Sequence, residues 1–163
     1  MTNPITNSKF DDLLRRNRGR LAAISRAYSP ADADDLLQEI LLQIWKGLSG
    51  FRDQANIDTW CYRVALNTSL TWKRTHGRRR NNLPEVPFED TQLPVRDDGQ
   101  DAVKLLQRFL QSIPDTDRAL VLLYLDDLSG REIANIMGMS ESAVRVRIHR
   151  IKNRLANWEA CAL

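Results

Sequence analysis

The chain has 163 residues, of which 42 % are hydrophobic and 28 % charged, with a formal net charge of +3. This length accommodates one ordinary domain or two small ones. No run of about 18 apolar residues occurs, which predicts no membrane insertion. Residues 1–9 are polar and lack the apolar core of a signal peptide, so we expect a soluble, cytoplasmic protein. Helix formers dominate, glycine occurs seven times, and no Val/Ile/Thr alternation is visible, so the predicted fold class is all-α.

The residues that usually build metal or catalytic sites are scattered along the chain. Cys61 and Cys161 belong to no CxxC motif, and His76 and His149 stand alone. A zinc site and a disulfide framework are therefore not expected, and the sequence predicts no cofactor. No nucleophile–base pair or phosphate-binding glycine loop is visible either, so we do not expect an enzyme.

Charge is distributed unevenly and divides the chain into three parts. Residues 1–80 carry 14 Lys/Arg and 8 Asp/Glu, residues 81–100 carry 1 and 5, and residues 101–163 carry 9 and 8. Three prolines in the middle part, Pro84, Pro87 and Pro94, interrupt any helix there. The pattern predicts two small helical domains, 1–80 and 101–163, joined by a flexible acidic linker at 81–100.

The first module is predicted to contain three helices. Ser8 is the expected N-cap of the first, whose apolar stripe is interrupted by Asn17. A second helix starts at Ser29-Pro30, because proline suits the first helical position. The third extends from about Thr59 to Arg74. The second helix has an apolar face predicted to be buried: Leu37, Leu41, Ile44 and Leu48.

A different face of the second helix carries acids, an amide and one leucine. Asp35, Gln38, Glu39 and Leu42 follow the spacing i, i+3, i+4, i+7, which places them together on the outward side. The residues alone allow two interpretations, a solvated acidic face or a docking surface for a partner helix.

The second module contains the clearest local motif. Ser129 and Glu132 have the spacing of a capping box that starts a short helix. Gly138 is placed where a left-handed residue would end that helix, and Ser140 is the expected cap of a longer one. Together with the spacing of Ala134, Gly138 and Val144, these residues predict a helix-turn-helix.

The longer helix has two distinct faces. Val144, Ile148, Ile151 and Leu155 form the stripe that we expect to be buried. A helix that presents arginines and short polar groups away from its core suits the major groove of DNA. An ordinary helical hairpin with a solvated basic face is the alternative. The predicted DNA-reading residues are Ser142, Arg145, Val146, His149 and Arg150.

Two further segments support a family resemblance. The sequence from Asp35 to Trp45, DLLQEILLQIW, resembles the core-polymerase-binding helix of bacterial sigma factors. Phe51-Arg52 and the segment from Thr59 to Asn67 resemble the promoter-melting and minus-10-reading region of the extracytoplasmic-function (ECF) subgroup of the sigma-70 family. The second module resembles the minus-35-reading domain of the same subgroup. The resemblance extends from about Phe10 to about Asn157.

The resemblance implies a sigma factor that binds core RNA polymerase and directs promoter-specific initiation. Its implied partners are the β′ clamp and β flap of the polymerase, promoter DNA as duplex and as single-stranded non-template strand, and an anti-sigma factor. It implies that Asp35, Gln38, Glu39 and Leu42 contact the clamp helices. A stand-alone helix-turn-helix repressor or activator remains the alternative. The residues predicted to melt and read the minus-10 element are Phe51, Arg52, Trp60, Arg63, Asn67 and Arg74.

Overall fold

The computed structural model describes residues 4–52, 56–80 and 98–162. In these ranges it contains seven α-helices, one short 3₁₀ turn at Pro30–Asp32, and no strand, which confirms the all-α prediction. The α-helices are α1 Pro4–Tyr28, α2 Ala33–Leu48, α3 Ile57–Arg80, α4 Asp98–Ser112, α5 Asp115–Leu125, α6 Gly130–Met137 and α7 Glu141–Ala162.

Helices α1, α2 and α3 pack on one another and form the N-terminal unit. The predicted buried stripe of α2 is displaced by one position. Ile44 and Leu48 are buried as expected, but Leu36 and Ile40 complete the stripe, while Leu37 and Leu41 lie at its edge and are only half-buried. Both sets follow helical spacing, and the packing of α2 between α1 and α3 selects the set that faces inward.

Asn17, the polar residue in the apolar stripe of α1, is buried with 1 % of its surface exposed. Its Nδ2 donates to Leu13 O at 3.0 Å and to Asp58 Oδ1 at 2.8 Å. A buried amide without partners would be costly, so these bonds explain how the residue is tolerated. They also join the middle of α1 to the first turn of α3.

Several helix ends differ from the sequence-based expectations. Helix α1 begins at Pro4, so Ser8 lies inside it and is not its N-cap. Proline is well suited to a first helical turn, which explains the earlier start. Helix α3 continues beyond Arg74 to Arg80, and α4 begins at Asp98, three residues before the expected boundary. The rest of the predicted linker, residues 81–97, lies outside the described residues.

Helices α4 to α7 form the C-terminal unit. Phe109, Leu120, Leu123, Ile133 and Val144 are each at most 1 % exposed and form its core. An arginine is buried beside them: Arg118 donates to the carbonyl oxygens of Leu110 and Ile113 and pairs with Asp115 at 3.2 Å. These bonds satisfy the last turn of α4, whose carbonyls have no partners within the helix.

The two units pack directly against each other. Helix α1 contacts α4 and α5, and α3 contacts α6. A groove of about 450 Å³ remains open between the units. It is lined by apolar residues of both, among them Ile24, Leu106, Leu110, Leu122 and Leu125.

Candidate nucleic-acid and partner-binding surfaces

The helix caps and the turn predicted in the second module form as expected. Ser129 accepts a hydrogen bond from Glu132 N, and the Glu132 side chain accepts from Ser129 N at 2.8 Å, which completes the capping box. Ser129 Oγ also donates to Glu132 Oε2 at 2.7 Å. This bond and the bond from Ser129 N hold the pKa of the Glu132 carboxyl below its usual value. Gly138 ends α6 in the left-handed conformation, with φ of 67°. Ser140 Oγ accepts from Ala143 N at 3.2 Å and caps α7.

Helix α7 has the two faces that the sequence predicts. Val144 and Ile151 are buried, and Ile148 and Leu155 are half-buried against the same core. All five predicted DNA-reading residues lie on the exposed side: Ser142, Arg145, Val146, His149 and Arg150. Val146 is the apolar member of this side and is 50 % exposed.

The outward face of α2 is also present. Asp35 and Gln38 are exposed and Glu39 is half-buried, where it accepts from Gln43 Nε2 at 2.7 Å. Leu42 is 43 % exposed at the end of this face. An apolar side chain beside acidic groups suits a partner that offers both cations and an apolar contact.

The two aromatic residues proposed for base capture lie together, with ring centroids of Phe51 and Trp60 5.3 Å apart. The Trp60 ring is packed against Gly47, where an added Cβ would lie 2.7 Å from a ring carbon. Trp60 is therefore a packing residue on one side. Phe51 and Trp60 are both half-buried, and Arg52 is exposed. The middle of the loop that follows, residues 53–55, lies outside the described residues.

The three polar residues predicted on one side of α3 have different surroundings. Asn67 is exposed and lines a groove of about 610 Å³ between α2 and α3. Arg74 is exposed and, among the described residues, bonds within its own helix to Leu70 O and Thr71 Oγ1. Arg63 instead donates to the backbone carbonyl of Asn135 in α6 of the other unit.

The same groove contains a ring pair that the sequence reasoning missed. Trp72 and His76 stack with centroids 3.9 Å apart and an interplanar angle of 15°. They lie one turn apart on α3, and that i, i+4 spacing of two flat rings was the signal available in the sequence. Trp72 and His76 line the same groove as Asn67 and lie nearer the C-terminal end of α3.

The described residues include no cluster of His, Cys, Asp and Glu that could hold a metal ion. Cys61 is 1 % exposed, and burial raises the pKa of its thiol to about 12. A thiol in that state is a poor nucleophile and a poor metal ligand. In the described part of the chain, no helix is both long and apolar enough to cross a membrane.

The chain is similar to several known proteins. The family model for sigma-70 region 2 matches residues 13–79, and the model for sigma-70 region 4 matches residues 104–155. The ECF RNA polymerase sigma factor SigM of Mycobacterium tuberculosis is 33 % identical over 154 residues, which cover 90 % of this chain and 75 % of SigM. The chain belongs to the ECF sigma factors. It is an alternative sigma factor that directs transcription initiation by RNA polymerase.

Other relatives of this sigma factor extend the comparison. The ECF sigma-E factor of Escherichia coli is 28 % identical over 162 residues, covering 91 % of this chain and 85 % of the relative. Among solved structures, CnrH in complex with the cytosolic domain of CnrY superposes with a TM-score of 0.70 over 95 % of this chain and 90 % of CnrH, at 20 % identity. RpoE in complex with the anti-sigma factor NepR, from Bartonella quintana, gives 0.69 over 93 % of this chain and 97 % of RpoE, at 20 % identity. These structures share its fold. A stand-alone repressor or activator is not favoured by these findings.

Proposed function

We propose that this sigma factor divides its work between the two units. The N-terminal unit binds the β′ clamp of core polymerase through α2 and opens the minus-10 element with the α2–α3 loop and α3. The C-terminal unit contacts the β flap and reads the minus-35 duplex with α7. The chain itself contributes binding and positioning, and the polymerase supplies the catalysis.

The observation that carries the DNA-binding part is the geometry of α7. One side of the helix is fixed by Val144 and Ile151 in the core, while the whole predicted reading face is exposed. A helix held in this way after a short turn can enter a major groove without unfolding. Arg145 and Arg150 are the residues we assign to bases or phosphates, since arginine forms the commonest specific contact with guanine.

Opening of the minus-10 element needs a surface that holds unpaired bases. Stacking of a base on an aromatic side chain contributes about 1–3 kcal/mol, comparable with the few kcal/mol needed to extrude a base. Phe51 supplies the stacking ring, supported by Trp60, and Arg52 and Arg74 supply positive charge for the strand. Asn67 is placed to hydrogen-bond base edges, and Arg63 is the remaining cation on this side.

Regulation by a protein partner is part of the proposal. One structural neighbour was solved with an anti-sigma factor, and its fold matches nearly the whole of this chain. We propose that this sigma factor is likewise held inactive by an anti-sigma factor in the cytoplasm, where it meets RNA polymerase.

The test is binding to purified core polymerase by wild type and by the triple variant Asp35→Ala/Gln38→Ala/Glu39→Ala. We expect tight binding by wild type and at least a tenfold weaker complex for the variant, because its polar docking groups are gone. Asp11→Ala/Asp12→Ala, which removes exposed acids from α1, is the matched control and should bind like wild type. Absence of core binding, together with specific binding of duplex DNA by the free chain, would overturn the proposal.

A further inference from the structure

The exposed side of α7 carries one valine among polar and basic residues. Val146 lies in the second turn of the helix, and 50 % of its surface is exposed. A single exposed valine is common on protein surfaces and indicates no function by itself. Its position on the helix is more informative, because the N-terminal turns of a recognition helix are the part that contacts base edges.

Val146 lines a shallow depression of about 430 Å³ on this side of α7. Two other apolar side chains lie beside it: Met139, in the turn before α7, and Ala143, one turn earlier in the helix. Both are half-buried, so they form the floor of the depression, and Val146 is its exposed edge. The remaining lining residues are polar or basic: Ser142, Arg147 and Arg150. The depression is therefore an apolar patch bordered by positive charge.

The arginines of α7 differ in what they contact. Arg147 pairs with Asp117 of α5 at 3.8 Å, and Arg154 donates to a backbone carbonyl at the end of α4 at 3.3 Å. These two arginines contact their own unit, whereas Arg150 is exposed at the border of the depression, one turn after Val146. A guanidinium in this position can donate to O6 and N7 of a guanine. The positive charge favours DNA over an apolar partner as the occupant of this surface.

Thymine is the base that presents an apolar group, its C5-methyl, in the major groove. The other bases present hydrogen-bond donors and acceptors there. A valine placed against those groups would remove water from them without replacing its hydrogen bonds, which costs free energy. Against a thymine methyl, valine instead removes apolar surface of both partners from water. Its β-branched side chain has one strongly preferred rotamer in a helix, so little conformational freedom is lost on contact.

We propose that Val146, with Met139 and Ala143, reads a thymine in the minus-35 duplex, whose C5-methyl group enters the depression. Val146 is the specificity-determining residue, and Arg150 contacts a guanine nearby. These two residues are four positions apart, or about 6 Å along the helix axis. Base pairs are spaced about 3.4 Å apart, so the thymine lies within about two base pairs of that guanine. The site rests on the proposed DNA-reading role of α7 and names one base pair that this helix selects.

The first experiment identifies the minus-35 sequence that the sigma factor prefers. Holoenzyme assembled from core polymerase and the full chain is used to select duplexes from a pool in which both promoter elements are randomised. Wild type should enrich a minus-35 element with a T·A pair within about two base pairs of a G·C pair. Val146→Ser should lose the preference for that T·A pair and keep the others. Asn157→Ala, at an exposed position farther along α7, should select the wild-type sequence.

The second experiment removes the methyl group alone. Deoxyuridine has the hydrogen-bonding groups of thymidine without the C5-methyl, so each thymine of the selected minus-35 element is replaced by uracil in turn. At one thymine the replacement should weaken binding of wild-type holoenzyme about fourfold, equivalent to about 0.8 kcal/mol for one buried methyl. The same replacement should change binding of Val146→Ser holoenzyme by less than about twofold. All affinities are compared at one salt concentration.

The Val146→Ser variant must differ from wild type in base reading alone. Serine and valine have similar helix propensities and the substituted position is exposed, so the variant should unfold in urea like wild type. It should also bind core polymerase like wild type, because α2 is unchanged.

The outcomes separate the thymine site from the proposed function. If wild-type holoenzyme enriches no minus-35 element, the proposed function fails and the thymine site fails with it. An enriched element overturns the thymine site alone if Val146→Ser selects the same sequence, if no uracil replacement weakens binding, or if the replacement weakens binding equally in both proteins.

Discussion

At the scale of single residues, the informative positions are polar groups in places where the pattern predicts apolar ones. Asn17 interrupts the stripe of α1, and Arg118 is 2 % exposed inside the C-terminal unit. Each makes a hydrogen bond at a helix end: Asn17 with the first turn of α3, and Arg118 with the last turn of α4. They fix how one helix is placed against the next, which apolar contacts alone specify less sharply.

Replacing Asn17 tests this role. Asn17→Ala should lower the free energy of unfolding by about 1–2 kcal/mol, because buried hydrogen bonds are lost and Asp58 loses a donor. Urea denaturation of wild type, Asn17→Ala, Asp58→Ala and the double variant should give a favourable coupling between the two residues. Asn157→Ala, at an exposed position in α7, is the control. Equal stability of Asn17→Ala and Asn157→Ala would show that the buried bonds contribute nothing.

At the scale of elements, the turn between α6 and α7 combines three local devices. The capping box starts α6, the left-handed glycine ends it, and Ser140 caps α7. Each acts within about four residues, so each could be predicted from the sequence. Together they set the direction in which α7 leaves the turn, and so the orientation of its proposed DNA-reading face.

The capping box stabilises the folded protein by an amount that depends on pH. The pKa of Glu132 is lowered in the folded protein, so its charged form is favoured there. This contribution is present above the ordinary glutamate pKa and is lost as pH falls through the lowered value. The stability difference between wild type and Glu132→Gln, measured by thermal unfolding, should therefore be largest at neutral pH and shrink as pH falls below about 4.5.

A control is needed because every carboxylate titrates in this range. Glu141→Gln removes the same charge from an exposed position on α7, and Ser129→Ala removes the reciprocal partner, at a cost of about 1 kcal/mol. In the Ser129→Ala background the pH-dependent effect of Glu132→Gln should be reduced. An undiminished difference at low pH in the wild-type background would contradict the assignment.

At the scale of the whole molecule, charge and connectivity matter more than any one contact. The sequence places five acids in residues 81–100, between two modules with net positive charge. We propose, from the resemblance to other sigma factors, that this segment threads toward the active-site cleft or the RNA channel of the polymerase. Negative charge in that position would mimic nucleic acid.

Neutralising the linker tests this idea. The variant Glu85→Gln/Glu89→Gln/Asp90→Asn/Asp97→Asn/Asp98→Asn should reduce run-off transcription by at least about tenfold, equivalent to about 1.4 kcal/mol, with core affinity changed less than twofold. Asp11→Asn/Asp12→Asn removes acids from the exposed side of α1 and should leave both measurements unchanged. Normal initiation by the linker variant would show that these acidic side chains do not contribute to initiation.

The sequence by itself determined most of the local structure and both candidate surfaces. Helical periodicity, helix caps and the turn glycine depend on residues that are close in the chain. The sequence therefore predicted α6, the turn after it and the two faces of α7. The i, i+3, i+4, i+7 spacing of Asp35, Gln38, Glu39 and Leu42 was enough to predict the outward face of α2. The start of α1 and the buried stripe of α2 were less well predicted, because Pro4 and Ser8 are both compatible with a helix start and two apolar stripes share α2.

Only the tertiary structure decided how distant residues meet. No periodicity indicates that Asn17 bonds to Asp58, that Trp60 packs on Gly47, or that Arg63 reaches Asn135 in the other unit. These pairs are far apart in the chain, and their contacts depend on the angles at which complete helices cross. The packing of the two units against each other follows from such contacts. Arg20 and Asp126 lie 2.8 Å apart in the folded chain, but each is an ordinary surface charge until folding brings α1 and the end of α5 together.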